Sequence, residues 1–136
     1  MQVHHAMSRN VELVNPATPL REAALRMREL EIGALPVGEG DRLVGMVTDR
    51  DLVVRGLAQA QDLRTACVRD CMTPQVLYCY DDQALDEVAA SMADNQVRRL
   101  PVVNRDKRLV GIVALADIAD FGDARRTGDT LRGISQ

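Results

Sequence analysis

The residues best suited to chemistry are polar side chains that follow two similar strand-like segments. Thr48 and Asp51 stand three positions apart after the first segment, and Asp117 follows the second, where Ala114 replaces the threonine. Carboxylates accept hydrogen bonds from ligand hydroxyl groups, and a threonine hydroxyl can donate or accept. Thr-x-x-Asp is also the spacing of a helix capping box. On spacing alone capping is the stronger interpretation, but an aspartate that persists without a capping hydroxyl favours a second role.

Three arginines are candidates for binding an anion. Arg98 and Arg99 are adjacent at the start of a predicted strand, so their side chains should point to opposite faces. Arg50 lies in the first turn of a predicted helix, where a positive charge is unfavourable against the helix dipole. Guanidinium groups suit phosphate recognition. The alternative for all three is a solvated side chain or a weak surface ion pair.

Metal binding and catalysis find little support. The histidines are His4 and His5, and Cys67 and Cys71 are spaced to share one face of a helix. Zinc accepts both ligand types, but the chain offers no second strong pair, so we expect no metal site. The third cysteine, Cys79, completes no CxxC motif, which fits reduced thiols and a cytoplasmic location. Without a phosphate-binding loop or a Ser-His-Asp set, the sequence predicts no enzyme and no catalytic residue.

The elements that position these residues occur twice. At an offset of 65, nine residues recur, including Leu-Pro-Val at 35–37 and 100–102. After one residue is inserted in a turn, Arg-Leu-Val-Gly at 42–45 recurs at 108–111. A length change inside a turn is typical of a duplication. The predicted organisation is a first repeat at 7–60, a linker at 61–71, a second repeat at 72–121 and a frayed tail at 122–136.

Each repeat has the pattern β-α-β-β-α, which predicts a mixed fold, α/β in the broad sense or α+β. In the first repeat, Thr18 is the predicted N-cap of a helix that ends at Gly33. Two strands separated by a glycine-rich turn follow, and a second helix begins near Asp49. Each repeat is too small to bury its own apolar face, so we expect the two to pack against one another with pseudo-twofold symmetry.

Composition narrows the classes of partner. The 136 residues are 46% hydrophobic but only 2% aromatic, with a formal net charge of −3. Single-stranded nucleic acids are bound through aromatic stacking and a basic surface, and this chain offers neither. No apolar run approaches the roughly 18 residues of a membrane span. We therefore expect neither a nucleic acid nor a membrane as partner.

The repeated motifs resemble a known family. The segments are Ala-Leu-Pro-Val at 34–37, Leu-Val-Gly-Met-Val-Thr-Asp-Arg-Asp at 43–51, Arg-Arg-Leu-Pro-Val-Val at 98–103, Leu-Val-Gly-Ile-Val at 109–113 and Cys-Met-Thr-Pro at 71–74. They are similar to the cystathionine-β-synthase (CBS) domain, a pair of which forms a Bateman module. The resemblance covers residues 7 to 121 and implies a stand-alone regulatory module. It also implies a homodimer that signals to a downstream protein, still to be identified.

The resemblance implies a ligand in the clefts between the repeats. Family members commonly bind adenine nucleotides, so AMP, ADP or ATP is the expected regulatory ligand, with no cofactor required. Thr48 and Asp51 match the family motif in full, whereas the second repeat keeps Asp117 but has Ala114. The basic pair that often meets phosphate in the family is matched by Arg98-Arg99 but not by Gly33-Ala34. The two clefts should therefore be unequal.

If the ligand is a nucleotide, each candidate residue suits one part of it. Asp51 or Asp117 suits the ribose diol, and Thr48, the arginines and the helix N-terminus suit the phosphate. The residues expected to hold the base are aliphatic strand residues: Met46, Val47, Ile112 and Val113. Two alternatives stay open. One is a sensor of S-adenosylmethionine or of a metal, and the other is a protein-interaction module that binds no nucleotide, which the departures at Ala114 and Gly33 favour.

Overall fold

The computed structural model describes residues 1–60, 62–74 and 76–120. The predicted tail at 122–136, and Gln61 at the start of the predicted linker, lie outside the described residues. Helices and short strands alternate in both repeats, so the predicted α+β fold is confirmed. The chain divides into two compact units. Of the described residues, the first unit holds those within 12–77 and 107–109, and the second holds 1–11, 78–106 and 110–120.

The first unit is built on one long helix and a two-stranded antiparallel sheet. Its elements are α1 (Leu20–Leu30), β1 (Ala34–Glu39), β2 (Arg42–Thr48), α2 (Asp49–Asp51), a π-helix (Leu52–Leu57) and a 3-10 turn (Val68–Asp70). The π-helix continues α2 directly, so one helical segment runs over 49–57. β1 and β2 pair with a shift in register between Val37 and Gly38. This arrangement sets Thr48 at the junction of β2 and the following helix.

The second unit repeats this plan with a three-stranded sheet. Its elements are a 3-10 turn (Val3–His5), β3 (Cys79–Tyr80), α3 (Leu85–Asp94), β4 (Arg99–Val103) and β5 (Leu109–Ala114). The strand order is β3-β4-β5, with β3 parallel to β4. Residues 115–120 are helical. The bridge between Val14 and Val37 in the first unit is the counterpart of the β3–β4 pairing.

The first residues of each repeat join the unit that contains the other repeat's strands. Ser8 pairs antiparallel with Ile112, and Thr73 pairs in the same way with Met46. Each pairing consists of two backbone hydrogen bonds of 2.8 to 3.0 Å. Met46 and Ile112 are matched positions of the two repeats, as are Ser8 and Thr73. The same pairing between the start of one repeat and a strand of the other therefore occurs in both units. The repeats of the sequence and the compact units of the structure are thus different divisions of the chain.

Each unit has its own aliphatic core. In the first unit the core includes Leu35, Val37 and Val47, all fully buried. The segment 61–71, predicted as a linker, adds buried Ala66, Val68 and Cys71 to the same core. The core of the second unit is formed by buried residues from the N-terminal segment, α3 and the strands: Val3, Cys79, Leu85, Val88, Met92, Leu100, Val102 and Val113. The N-terminal segment is therefore part of the fold of the second unit.

Both predicted ends of α1 were wrong. Thr18 is buried and accepts a hydrogen bond from the N–H of Asn15 through its hydroxyl oxygen (3.0 Å), so the helix begins one residue later than predicted. At the other end the left-handed residue is Glu31, with φ of 55°, rather than Gly33. The sequence pattern located the helix but not the residues that end it, because the Thr18 hydroxyl accepts a local hydrogen bond from the preceding turn and does not cap the helix.

Candidate functional site

Thr48 and Asp51 form the capping box that their spacing predicts. The hydroxyl oxygen of Thr48 accepts the N–H of Asp51 at 3.0 Å, and Oδ2 of Asp51 accepts the N–H of Thr48 at 3.0 Å. We call the surface formed by Gly33 and residues 48–51 the first edge. The capping interpretation is confirmed, and a ligand contact by the same two side chains remains compatible with it.

One oxygen of the Asp51 carboxylate is not used by the cap. Oδ1 lies 4.0 Å from Nε of Arg55, which is an ion-pair distance longer than a hydrogen bond. The side chain of Asp51 is 14% exposed, whereas that of Arg55 is 51% exposed. The carboxylate is thus held rigidly by Thr48 and still has lone pairs that could accept from a ligand hydroxyl.

The N–H groups at the start of α2 are all engaged within the protein. The N–H of Asp49 donates to the carbonyl of Gly33 (2.9 Å), and that of Arg50 donates to Oδ1 of Asp49 (2.8 Å). The N–H of Asp51 donates to Thr48, and that of Leu52 donates to the carbonyl of Asp49. Phosphate binding at a helix start depends on N–H groups that lack a partner. The donors that we expected to serve a phosphate are therefore already used at the first edge.

The matching surface of the second repeat has a different chemical character. We call the surface formed by residues 98, 99 and 114–117 the second edge. The N–H of Leu115 donates to the carbonyl of Arg98 (2.8 Å), which places Arg98 beside the start of the helical residues. Arg98, Arg99 and Asp117 are exposed. Among the described residues, their side chains have no hydrogen bond or ion pair, so they are accessible to a ligand.

The four aliphatic residues predicted to hold a base divide between two faces of their strands. Val47 and Val113 are fully buried in the two cores. Met46 and Ile112, one position earlier, are half-buried. Side chains alternate between the faces of a strand, so these two point away from the core residues. Of the four, the aliphatic side chains that are not buried in a core are therefore Met46, two residues before Thr48, and Ile112, two residues before Ala114.

The two tyrosines lie together in the second unit, near β3. The rings of Tyr78 and Tyr80 meet edge to face with their centroids 5.7 Å apart, and the Arg105 guanidinium lies 4.1 Å from the centre of the Tyr80 ring. Arg105 also donates two short hydrogen bonds to Asp82, which holds the pKa of that carboxyl below its usual value. One face of Tyr80 is thus covered by a cation, which limits its use in stacking on a base.

The cysteines and histidines are occupied in ways that do not suit a metal. Burial raises the pKa of Cys71 to about 11, and burial also raises that of Cys79 to about 12. The ring of His5 accepts the N–H of Gln2 at 3.2 Å, and that of His4 hydrogen-bonds the Gln2 side chain at 2.8 Å. Across residues 1–60, 62–74 and 76–120, no three His, Cys, Asp or Glu side chains are grouped so that they could hold a metal ion.

Asp49 is the residue of this site that the motif did not single out. A Cβ added to Gly33 would lie only 3.0 Å from Oδ2 of Asp49, so the carboxylate lies directly over this glycine. The two positions correspond to Arg98 and Leu115 in the second repeat. The sequence signal for Asp49 is this change in charge between matched positions of the two repeats, which the motif itself does not include.

The sequence matches the family described as "CBS domain" over residues 3–57 and 68–123. It is 44% identical over 114 residues to hypoxic response protein 1 of Mycobacterium tuberculosis, an alignment that covers 83% of this chain and 79% of that protein. Within the described residues no helix has the length and apolar character needed to cross a bilayer.

Three solved structures resemble this chain over most of its length. Hypoxic response protein I with two coordinated zinc ions has a TM-score of 0.78 and 41% identity, covering 89% of this chain and 98% of that one. CBSX2 in complex with AMP has a TM-score of 0.80 and 30% identity, covering 92% and 98%. The CBS domain pair of protein MJ0100 in complex with 5′-methylthioadenosine and S-adenosylmethionine has a TM-score of 0.75 and 28% identity, covering 92% and 98%.

Proposed function

Because the chain belongs to the CBS domain family, we propose that it is a regulatory module that binds an adenosine-containing nucleotide, AMP, ADP or ATP. Occupancy of the site is passed to a partner protein. A ligand does so only to the extent that it binds two conformations of the module with different affinities. We assign no catalytic residue.

The observation that carries the proposal is the geometry of Asp51. One carboxylate oxygen is fixed by the backbone of Thr48 and the other has no hydrogen bond. An acceptor-only group of this kind suits the paired hydroxyls of a ribose. Thr48 accepts the N–H of Asp51, so its own hydroxyl proton can be donated to a ligand. Met46 supplies aliphatic surface beside them for the base.

The second edge supports phosphate recognition in the same family of ligands. Arg98 and Arg99 are exposed cations, and Asp117 repeats the position of Asp51. Ile112 offers the same aliphatic surface as Met46. The lack of a hydroxyl at Ala114 and of a cap on Asp117 leaves this aspartate less rigidly held, so we propose that its diol contact is the weaker of the two.

The proposal is tested by calorimetric titration of AMP and 2′-deoxy-AMP into the intact chain. A hydrogen bond to a charged group contributes about 1.5–3 kcal/mol, so removing the 2′ hydroxyl should weaken binding about 10- to 150-fold. The variant Asp51→Asn keeps an oxygen that can accept the N–H of Thr48 but loses the charge. It should bind AMP and the deoxy compound almost equally, whereas Asp117→Asn, the matched variant, should change the ratio less.

The titration also separates the alternatives. If AMP, ADP, ATP and S-adenosylmethionine all fail to bind at millimolar concentration, the proposal is wrong, and a protein-interaction module or a zinc sensor remains. A zinc sensor is the other alternative, because the similar structure of hypoxic response protein I contains two zinc ions. Elemental analysis of untagged protein decides this directly, since a zinc sensor would retain the metal at a fixed ratio.

We further propose that the module is a homodimer that pairs through the π-helix. Three apolar side chains of this segment are 42 to 60% exposed: Val53, Val54 and Leu57. Single exposed apolar residues are ordinary, whereas interaction sites are contiguous apolar patches, and these three lie within five residues of one helical segment. Light scattering after size exclusion should give twice the chain mass, and Leu57→Asp should reduce it to one chain. A wild-type monomer would exclude the pairing.

A further inference from the structure

At the first edge, Oδ1 of Asp51 can accept a hydrogen bond from a ligand hydroxyl, but the surrounding groups are unfavourable for an anion. The four N–H groups that begin the helical segment are each bonded inside the protein, at 2.8 to 3.0 Å for the first three. The carboxylate of Asp49 lies over Gly33, at the place where Arg98 stands in the second repeat. A phosphate at this position would find no unused backbone donor and would face a carboxylate.

The matched positions of the two edges differ in the balance of charge. In the first repeat these positions hold two aspartates and one arginine, and in the second they hold two arginines and one aspartate. Of the cations near the first edge, Arg55 is already paired with Asp51. The exposed side chain of Arg50 is thus the one cation at the first edge not already paired within the described residues.

We infer that Asp49 is a specificity-determining residue that makes the first edge favour a nucleoside whose 5′ group is neutral or cationic over one that carries phosphate there. This inference rests on the proposed function, because it concerns the charge of a ligand whose ribose is held by Asp51. The carboxylate of Asp49 repels a 5′ phosphate placed beside Gly33, and the same carboxylate attracts a cationic 5′ substituent.

The test compares adenosine with AMP in calorimetric titrations of the intact chain. A unit-charge pair about 4 Å apart in water changes binding about five-fold, and a phosphate carries close to two charges. Asp49→Asn retains an oxygen for the N–H of Arg50 and should tighten AMP about five- to twenty-fold while leaving adenosine within about two-fold. Glu39→Gln removes the same charge from an exposed position at the end of β1 and should leave both affinities unchanged.

The increase in AMP affinity caused by Asp49→Asn should decrease with salt, because exposed charges are screened within about 3 Å at 1 M ionic strength. The AMP advantage of Asp49→Asn should therefore nearly vanish in 1 M salt. A second variant, Gly33→Arg with Asp49→Leu, installs the pair that the second repeat already accommodates as Arg98 and Leu115, and it should tighten AMP further.

The outcomes distinguish this inference from the proposed function. If wild-type protein binds none of adenosine, AMP, ADP and ATP, the proposed function fails. If adenosine and AMP both bind but Asp49→Asn leaves their affinity ratio unchanged, or tightens both equally, the role assigned to Asp49 is wrong and the binding function stands. A gain for AMP alone that is lost in high salt supports the inference.

Discussion

Gly45 in β2 and Gly111 in β5 each lie against a segment from the other repeat, around Thr73 and Ser8 respectively. Replacing either glycine should separate that segment from the strand. A Cβ on Gly45 would lie 2.8 Å from the carbonyl oxygen of Thr73, and one on Gly111 would lie 2.8 Å from that of Ser8. Overpacking of this kind costs about 1–3 kcal/mol. Loss of the two adjacent backbone hydrogen bonds adds about 1–3 kcal/mol. We expect Gly45→Ala and Gly111→Ala each to destabilise by about 2–6 kcal/mol, lowering Tm by roughly 7–20 °C.

Denaturant unfolding combined with hydrogen exchange measures both the cost and its location. In Gly111→Ala, residues 5–11 and 109–114 should lose protection, whereas the first unit should keep it. Gly40→Ala is the control: it has open space around a Cβ but a φ of +65°, so it should cost about 1–2 kcal/mol from backbone strain alone and leave the protection of residues 5–11 unchanged. Met7→Ala should relieve part of the Gly111→Ala penalty, because the sulfur of Met7 lies 2.6 Å from the added carbon. Unchanged protection at residues 5–11 would refute the close approach.

Two further predictions concern the helix start and the thiols. Ala114→Thr should complete a capping box with Asp117 and raise the free energy of unfolding by about 0.5–2 kcal/mol, measured in urea, and no gain would mean that Asp117 cannot reach the cap. Folding raises the pKa of Cys71 to about 11 and that of Cys79 to about 12, whereas a thiol in the unfolded chain ionises near 9.0. The unfolded chain therefore loses these protons first, and the free energy of unfolding should fall as pH rises from 9 towards 11–12. Unfolding at pH 8 and pH 10.5 tests this, and a higher stability at pH 10.5 would contradict it.

The predicted elements were largely right because local periodicity determines them. The helix and strand patterns of both repeats appear where the spacing of apolar residues placed them, including the strand-to-helix junction at Thr48. Helix ends were less predictable. Glu31 and Gln96 adopt φ of 55° where a glycine or asparagine was the natural expectation. The cost of a left-handed residue, about 1–2 kcal/mol, is small enough for tertiary packing to override.

The exchange of leading segments could not be predicted from the same patterns. The pattern β-α-β-β-α predicts a short extended piece before the first helix of each repeat, around 11–14 and 76–80, but alternation of side chains does not identify the strand with which a segment pairs. Gly45 and Gly111 are the residues that mark where the paired segments approach the strands. Each permits a neighbouring backbone to approach within 2.8 Å of the Cβ position, a role that the family motif does not express. Their structural role is sufficient to explain why both repeats have glycine.

The candidate site was predicted as a set of residue types, and the structure adds which atoms are already used. Thr48 and Asp51 were expected to serve either a cap or a ligand, and the hydrogen bonds give the cap one carboxylate oxygen only. The role of Asp49 depends on its position over Gly33, which links residues 16 positions apart and follows from the pairing of β1 with β2. No local motif contains that relation.

The positions at which the repeats differ explain how one duplicated fold can hold two unlike sites. Fully buried pairs such as Val47 and Val113 are identical, since a change of volume there would cost packing energy in either core. The pairs that differ in charge, Gly33 with Arg98 and Asp49 with Leu115, are exposed at both edges. Surface substitutions of this kind change stability by about 0.5 kcal/mol or less. Charge could therefore diverge at the edges without affecting the fold, and differences in ligand preference between the repeats should be sought at these exposed pairs.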